Sequence, residues 1–315
     1  MPGHKIIKLL IFNAMKANPR RNIFSLVLVA ILAIKVIPAL CQEGTDDEGK
    51  KPVRDFFACT MIIDDQTVVN PVKGSLELII HHRFGKIDKM SDLYGIYAPS
   101  NIRMGFTYGL TDKIMIGFGT EKNNKLQEFQ LKYSILQQNR SGKMPVSVSF
   151  FGNTVIDANS KDKFGANYKF SNRFSYYGEL IIARKFCDAF SAQLAPGFGH
   201  FNAVDSGITD SLGVERKYEH DIIALSFSGR YKIYNETSFM FEYDHPFNVN
   251  WIQESKEPLD AYKPNYAFGI EIGTSTHAFQ VFATTFDNII KQKNLLYNTK
   301  NFEDVCLGFN LTVMF

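Results

Sequence analysis

From Val305 to Phe315 every second residue is apolar: Val305, Leu307, Phe309, Leu311, Val313 and Phe315 alternate with Cys306, Gly308, Asn310, Thr312 and Met314. A period of two belongs to a strand with one hydrocarbon face and one mostly small or polar face. A soluble sandwich can bury such a face. A run of about ten residues is also what one strand of a tilted barrel needs to cross a bilayer.

The same alternation recurs along the chain. It predicts strands near residues 74–84, 101–110, 114–121, 126–137, 145–157, 173–185, 190–202, 221–233, 237–244, 266–274, 278–286 and 302–315. Ile102, Met104, Phe106, Tyr108 and Leu110 alternate with Arg103, Gly105, Thr107 and Gly109. Phe129, Leu131, Tyr133 and Ile135 alternate with Glu128, Gln130, Lys132 and Ser134. The strand at 278–286 is the least regular, because Phe279, Val281 and Phe282 do not share one face.

Connections alternate as well. Short turns (Thr111-Asp112-Lys113, Cys187-Asp188-Ala189, Asn235-Glu236, Ser275-Thr276-His277) sit on one side. Long polar loops near 85–100, 158–172, 203–220, 245–265 and 287–301 sit on the other, where only Asn123-Asn124 is short. An even number of strands with this asymmetry predicts an all-β transmembrane antiparallel barrel of about twelve strands over residues 74–315, with both termini periplasmic. Aromatics agree: Tyr108, Phe190, Tyr231 and Phe315 fall near one set of strand ends, and Phe84, Phe118, Phe174, Tyr243 and Tyr266 near the other, as the two girdles of a membrane. Closure leaves no unpaired sheet edge in lipid.

The amino-terminal segment reads as an export signal. Arg20 and Arg21 precede an apolar run from Ile23 to Ile34 that continues past Lys35 to Leu40, and Ala39-Leu40-Cys41 resembles a cleavage site. Residues 1–41 are therefore expected to be a signal peptide, starting at Met1 or Met15, with Gln42 first in the mature chain. Acylation of Cys41 is the rival reading, and Leu40 is large for the position before a lipidated cysteine. Residues 42–73 are expected to be a periplasmic linker, acidic at first, whose segment 56–72 carries Phe56, Phe57, Met61, Ile62 and Ile63 and is a candidate for the barrel mouth.

A formal net charge of +3 gives no electrostatic case for nucleic acid. Beyond the signal, Cys59, Cys187 and Cys306 are scattered and odd in number, so no disulfide framework and no metal motif is expected. Gly117-Phe118-Gly119 and Gly197-Phe198-Gly199 lie inside strands rather than at strand-to-helix turns, so no cofactor is expected from them.

Several segments carry a family resemblance: Ile79-Ile80-His81-His82-Arg83-Phe84-Gly85, Asn101 to Asp112, Leu180-Ile181-Ile182-Ala183-Arg184-Lys185 and His277-Ala278-Phe279-Gln280. From about Phe57 to Phe315 the chain resembles a Bacteroidota family of outer-membrane β-barrel proteins of unknown function. The resemblance implies an outer-membrane barrel and no particular chemistry. Where that family has paired glycines before the last of these segments, this chain has Ser275-Thr276.

With the apolar face toward lipid, the other face lines a lumen. It is expected to carry Glu77, His81, Arg83, Arg103, Glu128, Lys132, Glu179, Lys185, Arg230, Lys232, Glu242, Asp244 and Glu271. Acids and bases nearly balance, so paired charges that plug the lumen and a narrow channel for small solutes are both open, with the plugged structural or interaction barrel favoured. A lipid-modifying enzyme is the weakest reading: His82 and His200 face outward near the outer rim with no serine placed beside either. His81 and His82 point to opposite faces and so do not form a metal site. Expected partners are membrane lipid, the outer-membrane assembly machinery reading Phe315, and a protein at the long loops or the periplasmic segment.

Overall fold

The computed structural model describes residues 51–87, 95–97, 99–205, 208–209, 215–216, 218–247 and 262–315. The expected signal peptide, Cys41 and the acidic start of the linker lie outside the described residues.

Two short strands come first, β1 (Met61–Ile62) and β2 (Asp65–Gln66), forming a hairpin. Then follow β3 (Leu76–Lys86), β4 (Asn101–Thr111), β5 (Ile114–Glu121), β6 (Leu126–Leu136), β7 (Ser147–Asp157), β8 (Phe174–Lys185) and β9 (Phe190–Phe201). A small hairpin, β10 (Ile208–Thr209) with β11 (Glu215–Arg216), decorates the next loop. The wall resumes with β12 (Asp221–Tyr234), β13 (Thr237–Phe247), β14 (Asn265–Gly273), β15 (His277–Thr284) and β16 (Cys306–Met314), and a one-turn-plus helix α1 (Lys291–Tyr297) lies between the last two.

The twelve long strands pair antiparallel in sequence order, and β16 returns to β3 to close the barrel. At the seam Phe315 N donates to Leu76 O at 2.8 Å and Leu76 N to Phe315 O at 3.1 Å. Two strands depart from the expected bounds by three residues or more. β13 runs on to Phe247 rather than ending at 244, and β16 begins at Cys306 rather than 302, because Asp304 N turns back to Asn301 O at 2.9 Å. The turn that carries Ser275-Thr276 is closed by Thr274, whose Oγ1 donates to His277 O at 3.1 Å and accepts from His277 N at 3.0 Å.

One face of the wall is apolar and bare. On β4, Met104, Phe106, Tyr108 and Leu110 are 44, 42, 39 and 48% exposed, while Arg103 and Thr107 between them are 3 and 2% exposed. Ringing a barrel with such residues would be ruinous in water and is what hydrocarbon requires. Among the described residues no helix is long and apolar enough to cross a membrane; the strands do the crossing.

The barrel has a turn end, which holds Phe315 and most of the short connections, and a loop end, which holds most of the long ones. Its interior is filled by two segments that are not wall. Residues 56–69, including the β1–β2 hairpin, enter from the turn end: Phe56, Phe57, Ile62 and Ile63 are buried against Ala183, Met240, Ala267, Phe282 and Phe286. The β15–β16 loop folds in from the loop end, burying Leu295 and Leu296 of α1 against Phe151, Tyr177, Ile181 and Ile222. The inward face is thus partly apolar.

Candidate functional site

The inserted hairpin is held by hydrogen bonds from the wall. Its two-residue turn is Ile63-Asp64, and Ile63 adopts φ +56°, a conformation costly for a β-branched residue. Wall groups fix it there: Ile63 N donates to Gln280 Oε1 (3.2 Å) and Asn310 Nδ2 donates to Ile63 O (2.7 Å). Asp64 N donates to Glu242 Oε2 at 2.8 Å, and the Asp64 carboxylate is salt-bridged to Arg83, which is fully buried. Arg83 also donates to Asn310 Oδ1 at 2.9 Å and lies 4.6 Å over the ring of Phe282. Below the turn, Thr60 Oγ1 donates to Glu77 Oε2 at 2.6 Å. Lys132 Nζ donates to Thr67 O at 3.0 Å and to Gln66 Oε1 at 3.2 Å, and Gln193 Nε2 donates to Gln66 O at 2.7 Å.

Charges within the wall pair across an intervening strand. Arg103 on β4 reaches Glu128 on β6, with Nε and Nη2 donating to Oε2 at 2.9 and 2.5 Å. The guanidinium lies flat over β5, where a Cβ on Gly119 would collide with it. Asn153 Nδ2 donates to the other Glu128 oxygen at 2.6 Å, and His81 Nδ1 lies 3.4 Å from Arg103 Nη1. On the far side Arg230 on β12 reaches Glu271 on β14 at 3.1 Å, and Gln280 Nε2 donates to Glu271 Oε2 at 2.9 Å.

The two inserted segments meet at α1. Lys291 is salt-bridged to Asp65 of the hairpin, and its Nζ lies 2.7 Å from Asp244 Oδ1 and 3.9 Å from Glu242 Oε1 on the wall. Asn294 Nδ2 donates to Asp64 Oδ2 at 3.1 Å, while Gln292 Nε2 donates to Asn153 Oδ1 at 3.0 Å and to Ser175 Oγ at 3.3 Å. Asp65, Glu242 and Asp244 lie close enough together to hold a metal ion. Here the ammonium of Lys291 stands among them, so the group reads as an ion cluster rather than a metal centre.

The structure therefore gathers Glu77, His81, Arg83, Arg103, Glu128, Lys132, Glu179, Glu242, Asp244 and Glu271 into the buried interior, with Arg230 at its margin. Lys232 is a correction: it is exposed at the turn-end rim beside the bulge at Lys232/Tyr234, where its long side chain reaches solvent. Glu179 accepts from Tyr177 Oη at 3.0 Å. Sequence reading missed Asp64, Asp65, Lys291, Gln292 and Asn294, which lie in connections rather than strands and carry no period. It also missed the inward apolar residues. Adjacent apolar pairs (Phe150-Phe151, Tyr176-Tyr177, Ile181-Ile182, Ile222-Ile223, Val281-Phe282) are the signal, since one member of each must point inward.

Outside the lumen, the His82 ring packs tilted against Phe84, with ring centroids 4.2 Å apart. His200 has both ring nitrogens occupied, Nδ1 2.6 Å from Asp221 Oδ1 and Nε2 3.1 Å from Asn202 Oδ1. Neither nitrogen is left to activate a hydroxyl.

Beside the hairpin turn the interior keeps a void of only about 10 Å³, bordered by Asp64, Arg103, Glu128 and Lys291. That is the space of about one water.

Among solved structures the chain is similar to the NanC porin, at 10% identity and TM-score 0.45 over 76% of this chain and 98% of that one. It is also similar to the COG4313 outer membrane channel from Pseudomonas putida F1, at 12% identity and TM-score 0.46 over 78% and 96%. A third is LpxR from Salmonella typhimurium, at 11% identity and TM-score 0.37 over 76% and 100%. No curated protein matches the chain. The bare apolar wall and the closed twelve-stranded topology lie within residues 57–315, which match the family described as Membrane bound beta barrel domain (DUF5777), and the chain belongs to that family.

Proposed function

We propose that this outer-membrane barrel is a conduit for small solutes that is closed at rest. Residues 56–69 are the stopper, entering from the periplasmic mouth, and α1 is the latch, entering from outside. One observation carries the reading: Lys291 of the latch is bonded at once to Asp65 of the stopper and to Asp244 of the wall. A barrel needing only rigidity can fill its lumen with wall side chains, as narrower barrels do. Here the filling comes from two connecting segments joined to the wall by apolar contacts and by many polar groups, and water can re-solvate the polar groups when the segments leave. The host would be one of the Bacteroidota, on the sequence resemblance given above.

The stopper also has a handle. Val53 N donates to Gln138 O at 2.8 Å and Arg140 N to Lys51 O at 3.2 Å, so the chain ahead of the stopper is strapped to the β6–β7 turn at the barrel mouth. A periplasmic partner gripping this strap would act directly on the stopper.

Planar-bilayer recording on the refolded chain tests the reading. Wild type should show almost no current, and both deletion of residues 56–69 and Lys291→Ala should give discrete openings. A large steady wild-type current would show that the lumen is not closed. Silence in both variants, with heat-modifiable folding retained, would favour a purely structural or interaction barrel.

A further inference from the structure

A second cavity, of about 120 Å³, opens at the loop end between the ends of β6–β8, the connection after β7 and the outer side of α1. It has room for several waters or one small organic molecule, unlike the void in the lumen. Three cations line it, Lys163, Arg173 and Lys293, against two carboxylates, Asp157 and Asp205.

Two of the cations are already engaged. Lys163 Nζ is paired with Asp157 Oδ2 at 2.6 Å. Arg173 donates to Asp157 O and Asn159 O, both at 2.6 Å, and to Tyr168 Oη at 2.7 Å. Lys293 differs. Its ammonium lies 5.2 Å over the ring of Tyr297 and forms no salt bridge or hydrogen bond among the described residues. Burial, reinforced by Lys163, holds its pKa below the usual lysine value against the opposing pull of Asp205, Asp157 and Glu121. Those three carboxylates act on the ammonium without touching it, so it has no direct ionic contact among the described residues, and an anion entering the cavity supplies one.

Asn172 and Ser175 add polar groups to the lining, and one side of it is apolar. Leu126, Val155 and Ile290 pack as one buried cluster, and Phe164 and Phe174 complete the wall. We propose that this cavity binds a small organic carboxylate, its charged end on Lys293 and its apolar body against Leu126, Val155 and Ile290. Ile290, Lys293 and Tyr297 face this cavity, whereas Lys291 and Asn294 of the same helix hold the stopper. Occupancy is thereby felt by the latch, although binding itself does not depend on the lumen opening.

Ligand-observed NMR titration of the refolded full chain with benzoate tests this, with benzamide as neutral isostere and inorganic phosphate as an anion lacking an apolar body. Benzoate should bind, benzamide and phosphate at least tenfold more weakly. Lys293→Met should weaken benzoate at least tenfold, while Lys300→Met, which removes a loop-end lysine outside the cavity, should leave it unchanged. Both variants must keep wild-type heat modifiability. Equal binding of benzoate and benzamide, phosphate binding as tight as benzoate, or benzoate binding indifferent to Lys293→Met would each overturn the proposal. Because the read-out is binding, a chain that binds benzoate yet never conducts overturns only the conduit.

Discussion

Lys291 and Asp65 enter the barrel from opposite ends and meet inside it as a salt bridge, both nearly solvent-free. Removing the cation leaves Asp65, Asp244 and Glu242 without their shared counter-charge. Lys291→Met should lower stability by about 3–5 kcal/mol, the usual range for breaking a buried pair. Adding Asp65→Asn should restore part of it. Denaturant titration in lipid vesicles measures both single variants and the double, and a double-variant loss equal to the sum of the two single losses would mean that the two side chains are not energetically coupled.

The Arg103–Glu128 pair relies on the missing side chain at Gly119. Gly119→Ala puts a methyl into the guanidinium and forces it off Glu128, for an expected cost of about 1–3 kcal/mol. In an Arg103→Ala background the same change should cost much less. A double-mutant cycle reads the difference directly, and additivity would show that the guanidinium does not lie over β5.

Membrane depth should appear in arginine substitutions. Ile270 is an outward residue of β14, 41% exposed, between Phe239 and Val281. Ile270→Arg should cost about 2–4 kcal/mol, whereas Tyr234→Arg at the rim should cost about 0–1. Tyr234 is 72% exposed at the turn end. Similar costs at both places, in the same refolding assay, would argue against a bilayer around this wall.

Phe315 makes two backbone hydrogen bonds that complete the seam with Leu76, and its ring is 70% exposed. Deleting it removes the last rung and the aromatic anchor together. The heat-modifiable fraction in the outer membrane should fall on deletion, and fall less with Phe315→Ala, which keeps the rung. Wild-type levels in both variants would show that neither matters for assembly.

The wall was legible because lipid imposes a period of two on every crossing strand: Met104, Phe106 and Tyr108 can face only outward once Arg103 and Thr107 face inward. What fills the wall was not legible in the same way. Lys291 sits in a loop that reads as polar and solvated, and nothing local marks it as buried; its place is set by Asp65 and Asp244, both distant in sequence. Phe282 shows the middle case. It broke the alternation of its strand and so looked like poor patterning, and it proves to be an inward ring beneath Arg83.

The stopper also imposes an order on assembly. Ile63 takes its restraints from Gln280 and Asn310, which lie 217 and 247 residues further along the chain. Contacts that distant must wait for nearly the whole polypeptide, since closing so large a loop is slow and entropically costly. The first described segment to be synthesised is therefore among the last to be seated. Until β15 and β16 are in place, Phe56, Phe57, Ile62 and Ile63 have only part of the wall they bury against, lacking Phe282 and the bonds from Gln280 and Asn310, and a nascent barrel passes through a stage in which its interior is open and its amino-terminal segment is exposed to whatever chaperones attend it.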